Sequence, residues 1–360
     1  MKTGLYGNPE SRASSVMEIR NDGTGHAALG LPSITIVVIG LNEETHLEGV
    51  FSSIMNQSYP RDRVELIYVD SGSRDASVAI ARRNADKVFE EISHYPTAAR
   101  GRNKGLREAS HRFIHFLDGD TEIGPDYLAI AIDKLVANER LAAVVGYVDE
   151  KDRDRNRLNF LFSAALSKRD EGFVAQPKAG GTFRTDLLRS LGGYDERIRL
   201  GEESELGERV LSAGYKILQV EDIMCTHDYD FRGVGSLTQL YVMMGENLVV
   251  QSKLSGKGDY WRNTRRHNST NLALNLVLLT VLLAAFVTGS YYPFLALCLA
   301  VVAWPIAKLY ARRDLNVVTF VYHEMMSVMK PVTFWGQLKA YFRLAVDREF
   351  RLHVIVPKAP

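Results

Sequence analysis

The chain has 360 residues, 46% of them hydrophobic, enough to bury one large core or two modest ones. Lysine and arginine total 44 against 43 acidic residues, and a formal charge of +1 leaves no polyelectrolyte footprint, so nucleic acid is not the expected partner. Cys225 and Cys298 stand in apolar surroundings without a CxxC or a histidine cluster, which implies neither a disulfide framework nor a zinc site and fits a reducing compartment.

Residues 1–32 are rich in Ser, Gly, Asn and charge and lack the apolar stretch of a signal peptide, so a disordered tail on a cytoplasmic protein is expected. From Ser33 the pattern is strand, loop, helix, repeated. The β-branched run 34–39 has the continuous apolar character of a buried parallel strand, and Gly40 to Glu44 break it. Leu47, Val50, Phe51 and Ile54 fall at helix spacing up to Tyr59-Pro60. A second strand over 64–69 ends at Asp70, a helix follows over 76–84, a short strand over 87–89 and a helix over 100–110. The next strand, 113–117, runs into Asp118-Gly119-Asp120. Such alternation predicts an α/β domain with a mainly parallel sheet, whose ligands sit at the carboxyl ends of the strands. Asn42-Glu43-Glu44, Asp70-Ser71-Gly72-Ser73 and Asp118-Gly119-Asp120 all fall at such ends.

In Asp118-Gly119-Asp120 two carboxylates one residue apart point the same way, because strand side chains alternate with period two. The pattern suits a hard divalent cation, Mg²⁺ or Mn²⁺, shared with substrate phosphate oxygens; a solvated turn has the same local sequence. Farther on, Leu206, Val210 and Leu211 mark a helix that begins near Glu202-Glu203 and ends at Gly214, and a strand over 223–226 leads to His227.

No acidic or basic residue occurs between His267 and Lys308. Gly289-Ser290-Tyr291-Tyr292-Pro293 divides this stretch into 268–288 and 294–310, roughly 20 and 17 residues, the second a short one for a bilayer span. A membrane hairpin is expected, a pair of buried helices being the other reading. Arg262, Arg265 and Arg266 before it and Lys308, Arg312 and Arg313 after it place both flanks in the cytoplasm, at the inner membrane. Beyond it, Phe334-Trp335, Leu338 and Tyr341-Phe342 interleave with Lys339, Arg343, Arg348 and Arg351, which describes a membrane-surface helix and a core-packing helix equally well. The expected layout is a tail over 1–32, a catalytic domain over 33–245 divided at 120, a basic amphipathic linker over 246–267, a hairpin over 268–310 and a membrane-proximal segment over 311–360.

The ordered set Gly40-Leu41-Asn42-Glu43-Glu44, Val69-Asp70-Ser71-Gly72-Ser73, Ala99-Arg100-Gly101-Arg102-Asn103-Lys104-Gly105 and Leu117-Asp118-Gly119-Asp120 resembles the nucleotide-sugar half of family-2 glycosyltransferases with the GT-A fold. Gly192-Gly193-Tyr194-Asp195-Glu196, then Gly201-Glu202-Glu203-Ser204-Glu205-Leu206 and His227, is similar to their acceptor half. The resemblance implies that Asp70, with Leu41, Asn42, Glu43 and Ser71 beside it, lines the base and ribose pocket. It implies that Asp118 meets ribose or metal, that Asp120 ligates the metal, and that Arg102 and Lys104 reach the diphosphate. Solvation at the surface is the alternative for the last two. Glu203 matches the second acid of the family's Glu-Asp pair and is the candidate general base, with Glu202 in reserve; a helix start favours the ionised form a base needs. His227 matches a metal or diphosphate ligand and also suits a hydrogen-bonded structural role.

Three departures stand out. Ser71 replaces a second Asp that contacts uracil in many members, Glu203 replaces the more usual Asp, and Thr238-Gln239-Leu240-Tyr241-Val242 lacks the Gln-x-x-Arg-Trp signature of processive synthases. The expectation is therefore an inverting, metal-dependent transferase. It moves one sugar from a nucleoside-diphosphate donor to a lipid-linked glycan or other membrane-proximal acceptor in cell-surface polysaccharide synthesis. A polyprenyl-phosphate acceptor, which needs no base, and a non-catalytic nucleotide- or glycan-binding membrane scaffold are the alternatives. A dinucleotide oxidoreductase is disfavoured because the first strand leads into Gly-Leu-Asn-Glu and not a glycine-rich turn.

Overall fold

The computed structural model describes residues 30–152, 154–156, 159–160, 170–177, 180–228, 238–239, 241–246, 250, 280–281, 289, 292 and 330–347. Strands β1 (Ile34–Gly40), β2 (Val64–Asp70) and β4 (Phe113–Asp118) are the apolar runs of the sequence, and almost every residue in them is buried. Continuous apolar runs need cover on both sheet faces, which crossover helices supply. β1 lies between β2 and β4 and is parallel to both, while β3 (Lys87–Glu90) extends this half parallel to β2. The register sets Gly40 opposite Asp70 and Ile39 opposite Asp118. Three loops therefore leave the sheet at one level.

Helix α1 (Leu47–Met55) buries Leu47, Val50, Phe51 and Ile54 as their spacing predicts, and α2 (Ser77–Asn84) packs beside it. Helix α3 (Ala98–Glu108) lies across β1 and β2. It begins two residues earlier than the apolar pattern suggests because the Thr97 side chain accepts a hydrogen bond from the Arg100 N–H, which satisfies one of the free donors of the first turn. Its Gly101 and Gly105 face the sheet. A Cβ on Gly105 would stand 2.2 Å from Val37 Cγ1, so the helix backbone approaches β1 more closely than any side chain permits.

The other edge of β4 carries β8 (Gly181–Arg184), antiparallel, then β6 (Leu141–Glu150), antiparallel to β8, then β9 (Lys216–His227), parallel to β6. β5 (Thr121–Ile123) and β7 (Gly172–Val174) both pair with β9 in antiparallel sense. The strand order is β3-β2-β1-β4-β8-β6-β9-β5. The expected mainly parallel sheet is thus a mixed one, parallel throughout only in its first half. Helices α4 (Tyr127–Ala137) and α5 (Thr185–Ser190) cover this half, and one continuous core joins the two.

Helix α6 (Glu202–Ser212) follows Gly201, whose φ of 81° is left-handed, and buries Leu206 and Val210. Leu211, expected on the same face, is exposed. Near the other end of the chain, α7 (Lys330–Val346) buries Thr333, Gln337 and Ala340, and Gly336 comes close against the backbone of Val242. Leu338, Tyr341, Phe342 and Val346 are exposed on it. Among the described residues no helix is long and apolar enough to cross a membrane. Apart from four isolated positions, the expected hairpin over 268–310 lies outside the described residues, as do the tail over 1–29 and most of the linker over 246–267.

Candidate active site

A cleft opens where the strand order reverses direction, between the ends of β1 and β4. Ile39, Gly40, Leu41 and Glu43 line it from β1, Ser71 from β2, and Asp118, Gly119 and Asp120 from β4. Pro96, Thr97 and Ala98, which lead into α3, form the facing wall. Open α/β sheets bind ligands at this reversal because the loops on its two sides diverge and leave a crevice.

The loops that shape the cleft are fastened to each other by side chains accepting from backbone N–H groups. Asp70 is 1% exposed. Its Oδ2 accepts from the N–H groups of Gly72 and Ser73 at 2.8 and 2.7 Å, and its Oδ1 from the Ser73 hydroxyl at 2.6 Å. Asn42, at φ 60°, accepts from the Arg74 N–H through Oδ1, while its own N–H donates to the Ser73 Oγ. The Glu43 N–H donates to the Ser77 Oγ at 2.8 Å. Asp70 and Asn42, expected to meet base and ribose, are therefore turned into the loop framework, whereas Leu41, Glu43 and Ser71 face the cleft.

The Asp118-Gly119-Asp120 turn is closed by the Thr121 hydroxyl, which donates to the Asp118 carbonyl at 2.8 Å. Gly119 is required, because a Cβ there would meet Glu43 Cγ at 2.9 Å and the Ile39 carbonyl oxygen at 3.1 Å. Thr121 and His227 are cross-strand partners, and this brings the Asp120 Oδ2 within 3.2 Å of the His227 Nε2. Burial opposes charge on both groups. Their mutual hydrogen bond and attraction outweigh it, holding the Asp120 carboxyl below its ordinary range and the His227 imidazole above its own. Glu43 goes the other way, pushed up by burial and then by the charge of Asp120, although it is bonded to the His46 Nδ1 at 3.0 Å.

Among the described residues, no three His, Cys, Asp or Glu side chains form a complete cage for an ion. The donors on offer are the two cleft carboxylates of Asp118 and Asp120. That set fits a hard cation whose remaining positions are filled by phosphate oxygens and water. Asp118 and Asp120 would hold it.

Arg102 and Lys104 do not reach the cleft as expected. Arg102 is 1% exposed: its Nη2 donates to the Asp118 Oδ1 at 2.8 Å and its Nη1 to the Glu202 Oε1 at 2.6 Å, with Glu203 at 3.8 Å. Lys104 donates to Glu108 at 2.6 Å and lies over the Phe89 ring. Asn103 grips the Gly-Gly-Tyr-Asp-Glu segment, donating to the Tyr194 carbonyl and accepting from the Tyr194 N–H. Glu203, on the first turn of α6, is partly buried, and its carboxyl is raised to about 7 by burial and then by the charge of Glu202, with Arg102 opposing. It does not line the cleft itself and meets it through Arg102 and Asp118.

Three contributors had no role assigned to them from the sequence. The Pro96-Thr97-Ala98 wall was signalled only by a threonine ahead of a helix. His46 stands one turn after Glu43, and Tyr194 places its ring 5.4 Å from the Arg102 guanidinium.

Residues 35–189 match the family described as Glycosyl transferase family 2. Glycosyltransferase AglE of Haloferax volcanii is 24% identical over 234 residues, covering 61% of this chain and 74% of that protein. Probable glycosyltransferase YdaM of Bacillus subtilis is 27% identical over 210 residues, covering 52% of this chain and 48% of that one. Among solved structures, mannosyltransferase PcManGT from Pyrobaculum calidifontis, in complex with GDP-Man and Mn²⁺, superposes with a TM-score of 0.61 at 21% identity over 86% of this chain and 87% of that one. That likeness concerns the fold, which is GT-A-like. Residues 35–189 thus form a domain of glycosyltransferase family 2.

Proposed function

We propose that this chain transfers one sugar from a nucleoside-diphosphate donor to a hydroxyl of a lipid-linked or membrane-proximal acceptor, with inversion at the anomeric carbon. The observation that carries the proposal is the level register of Gly40, Asp70 and Asp118, which gathers Glu43, Ser71, Asp118 and Asp120 into one cleft at the sheet's reversal point. Leu41 and Ser71 are the groups placed to meet base and ribose. The buried Asp70 and the exposed Asn42 hold the loops that carry that surface.

A divalent cation bound by Asp118 and Asp120, with His227 orienting Asp120, would neutralise the charge that grows on the departing diphosphate. PcManGT, which shares the fold, holds GDP-Man and Mn²⁺, and this supports both a sugar-nucleotide donor and a metal. Glu203 receives the acceptor's hydroxyl proton. The acceptor oxygen bonds to the anomeric carbon as the bond to the diphosphate oxygen breaks, and that electron pair leaves with the nucleoside diphosphate. A single displacement of this kind reverses the configuration. A carboxyl at about 7 is matched to taking up a proton near neutral pH, which favours a hydroxyl over an already ionised phosphate acceptor.

The charge-free stretch 268–310, with arginine and lysine on both flanks, supports a membrane hairpin that holds the cleft at the cytoplasmic face, where a polyprenyl-linked acceptor lies. The test is a donor screen on the full chain reconstituted in lipid, following nucleoside-diphosphate release and the anomeric configuration of the product by NMR. Turnover of one or a few sugar nucleotides with inverted product supports the proposal. Retained configuration, or no turnover of any donor with lipid extract and metal present, refutes it.

A further inference from the structure

The most unusual group in the interior is the guanidinium of Arg102. Burying such a charge is strongly unfavourable unless it is well paired, and one carboxylate would suffice to pair it. Here three converge: Asp118 at 2.8 Å, Glu202 at 2.6 Å and Glu203 at 3.8 Å. The first belongs to the donor cleft and the other two to the start of α6, so the side chain spans the two halves of the domain.

Its seat is built for this. Gly101 and Gly105 let α3 settle on Ile39 and Val37, and Asn103 fixes the Tyr194 backbone from both sides beneath the ring that stacks against the guanidinium. The two glutamates are not equivalent toward it. Glu202 is 3% exposed and takes a direct hydrogen bond, whereas Glu203 stands beyond hydrogen-bond reach and keeps some solvent contact.

We propose that Arg102 is a positioning residue that gives the two adjacent glutamates different tasks. It clamps Glu202 as its permanent counter-ion and leaves Glu203 to take the acceptor's proton, while its other arm ties that pair to Asp118 of the donor cleft. This rests on the transferase reading above. The charged and titratable groups that face Glu203 are Glu202 on its own helix, Arg102 on α3, Asp118 at the end of β4 and Tyr194 beneath Arg102. Their arrangement makes the inference testable by sign. In Glu202→Gln the nearest negative charge disappears and Arg102 is free to turn to Glu203, so the base ionises more readily and is also sequestered. In Arg102→Lys one ammonium cannot bridge both sides, so Glu203 faces Glu202 with less opposing charge.

The experiment is the pH dependence of single-turnover sugar transfer by the full chain in lipid, with binding of nucleoside diphosphate plus Mn²⁺ and circular dichroism as controls for folding. Expected are acid limbs displaced in opposite directions, by about one pH unit downward in Glu202→Gln and upward in Arg102→Lys, each with transfer slowed about tenfold or more. A merely structural arginine would lower activity without moving the limb in Arg102→Lys, whereas the Glu202→Gln limb moves with the loss of that charge alone. Unmoved limbs in folded variants overturn the inference while the active wild type keeps the transferase reading intact. Should Arg102→Lys fail to fold, Arg102→Gln takes its place, with the same upward limb expected and an unmoved limb overturning the inference. Absence of turnover by the wild-type chain would overturn the transferase reading, and this inference with it.

Discussion

Asp120 and His227 meet at 3.2 Å because the turn that carries the first runs directly into β5, whose Thr121 pairs with the second on β9. A residue at the end of the first half of the domain is thereby oriented by the last strand of the second. Replacing His227 with Ala removes that restraint. The apparent affinity for Mn²⁺ in nucleoside-diphosphate release should fall about tenfold or more, the usual effect of losing a group that orients a metal ligand, while activity at saturating Mn²⁺ is largely recovered. Metal titrations of wild type and variant decide it, and an unchanged Mn²⁺ dependence would assign His227 a packing role.

Glu203 combines a helix N-terminus, which favours its charge, with burial and a like-charged neighbour, which oppose it. The raised value means that the reactive, ionised form is populated only as pH rises through about 7. Transfer should therefore have an acid limb centred near 7, and Glu203→Gln should abolish that limb and slow transfer by about 10²- to 10⁴-fold above it while donor binding persists. Rate profiles against pH, with calorimetry for the donor, would reveal a contrary result as a variant that remains active.

Asp70 accepts three hydrogen bonds from its own loop. In Asp70→Asn an amide N–H₂ is turned toward donors, leaving at least one unsatisfied at a loss of about 1–3 kcal/mol. Stability and donor affinity should fall together. A residue that merely touched the nucleotide would raise the donor KM without lowering the denaturation midpoint, so measuring both separates the roles.

Gly105→Ala places a methyl group into Val37 where a closely packed helix and strand have no room. A loss of about 1–3 kcal/mol of stability is expected, as for other overpacked cores. The double variant with Val37→Ala should recover part of it. Urea denaturation of the four proteins of that cycle gives the coupling, and independent effects would show that α3 can shift.

The parallel half of the fold was legible because its strands are long apolar runs with turn residues at their ends, and the register then fixes which polar clusters share a cleft. β5, β7 and β8 were not, since three- and four-residue strands carry no periodicity of their own. β9 was legible only at its end: register irregularities along its pairing with β6 interrupt the alternation that identifies a strand. Within the site, strand-end position put Asp118 and Asp120 where the cleft opens, but did not give the direction of Arg102, Asp70 or Asn42. Direction is decided by partners distant in the chain. The guanidinium turns inward because two acidic motifs from separate halves converge on it, and no spacing along the chain records that.

The most direct test of the central claim is metal-dependent release of nucleoside diphosphate by the full chain in lipid, compared with its Asp120→Asn variant. The cleft described above predicts release by wild type that requires Mg²⁺ or Mn²⁺ and falls by about 10²-fold or more in the variant. Equal release by both proteins, or release indifferent to chelation of the metal, would contradict it.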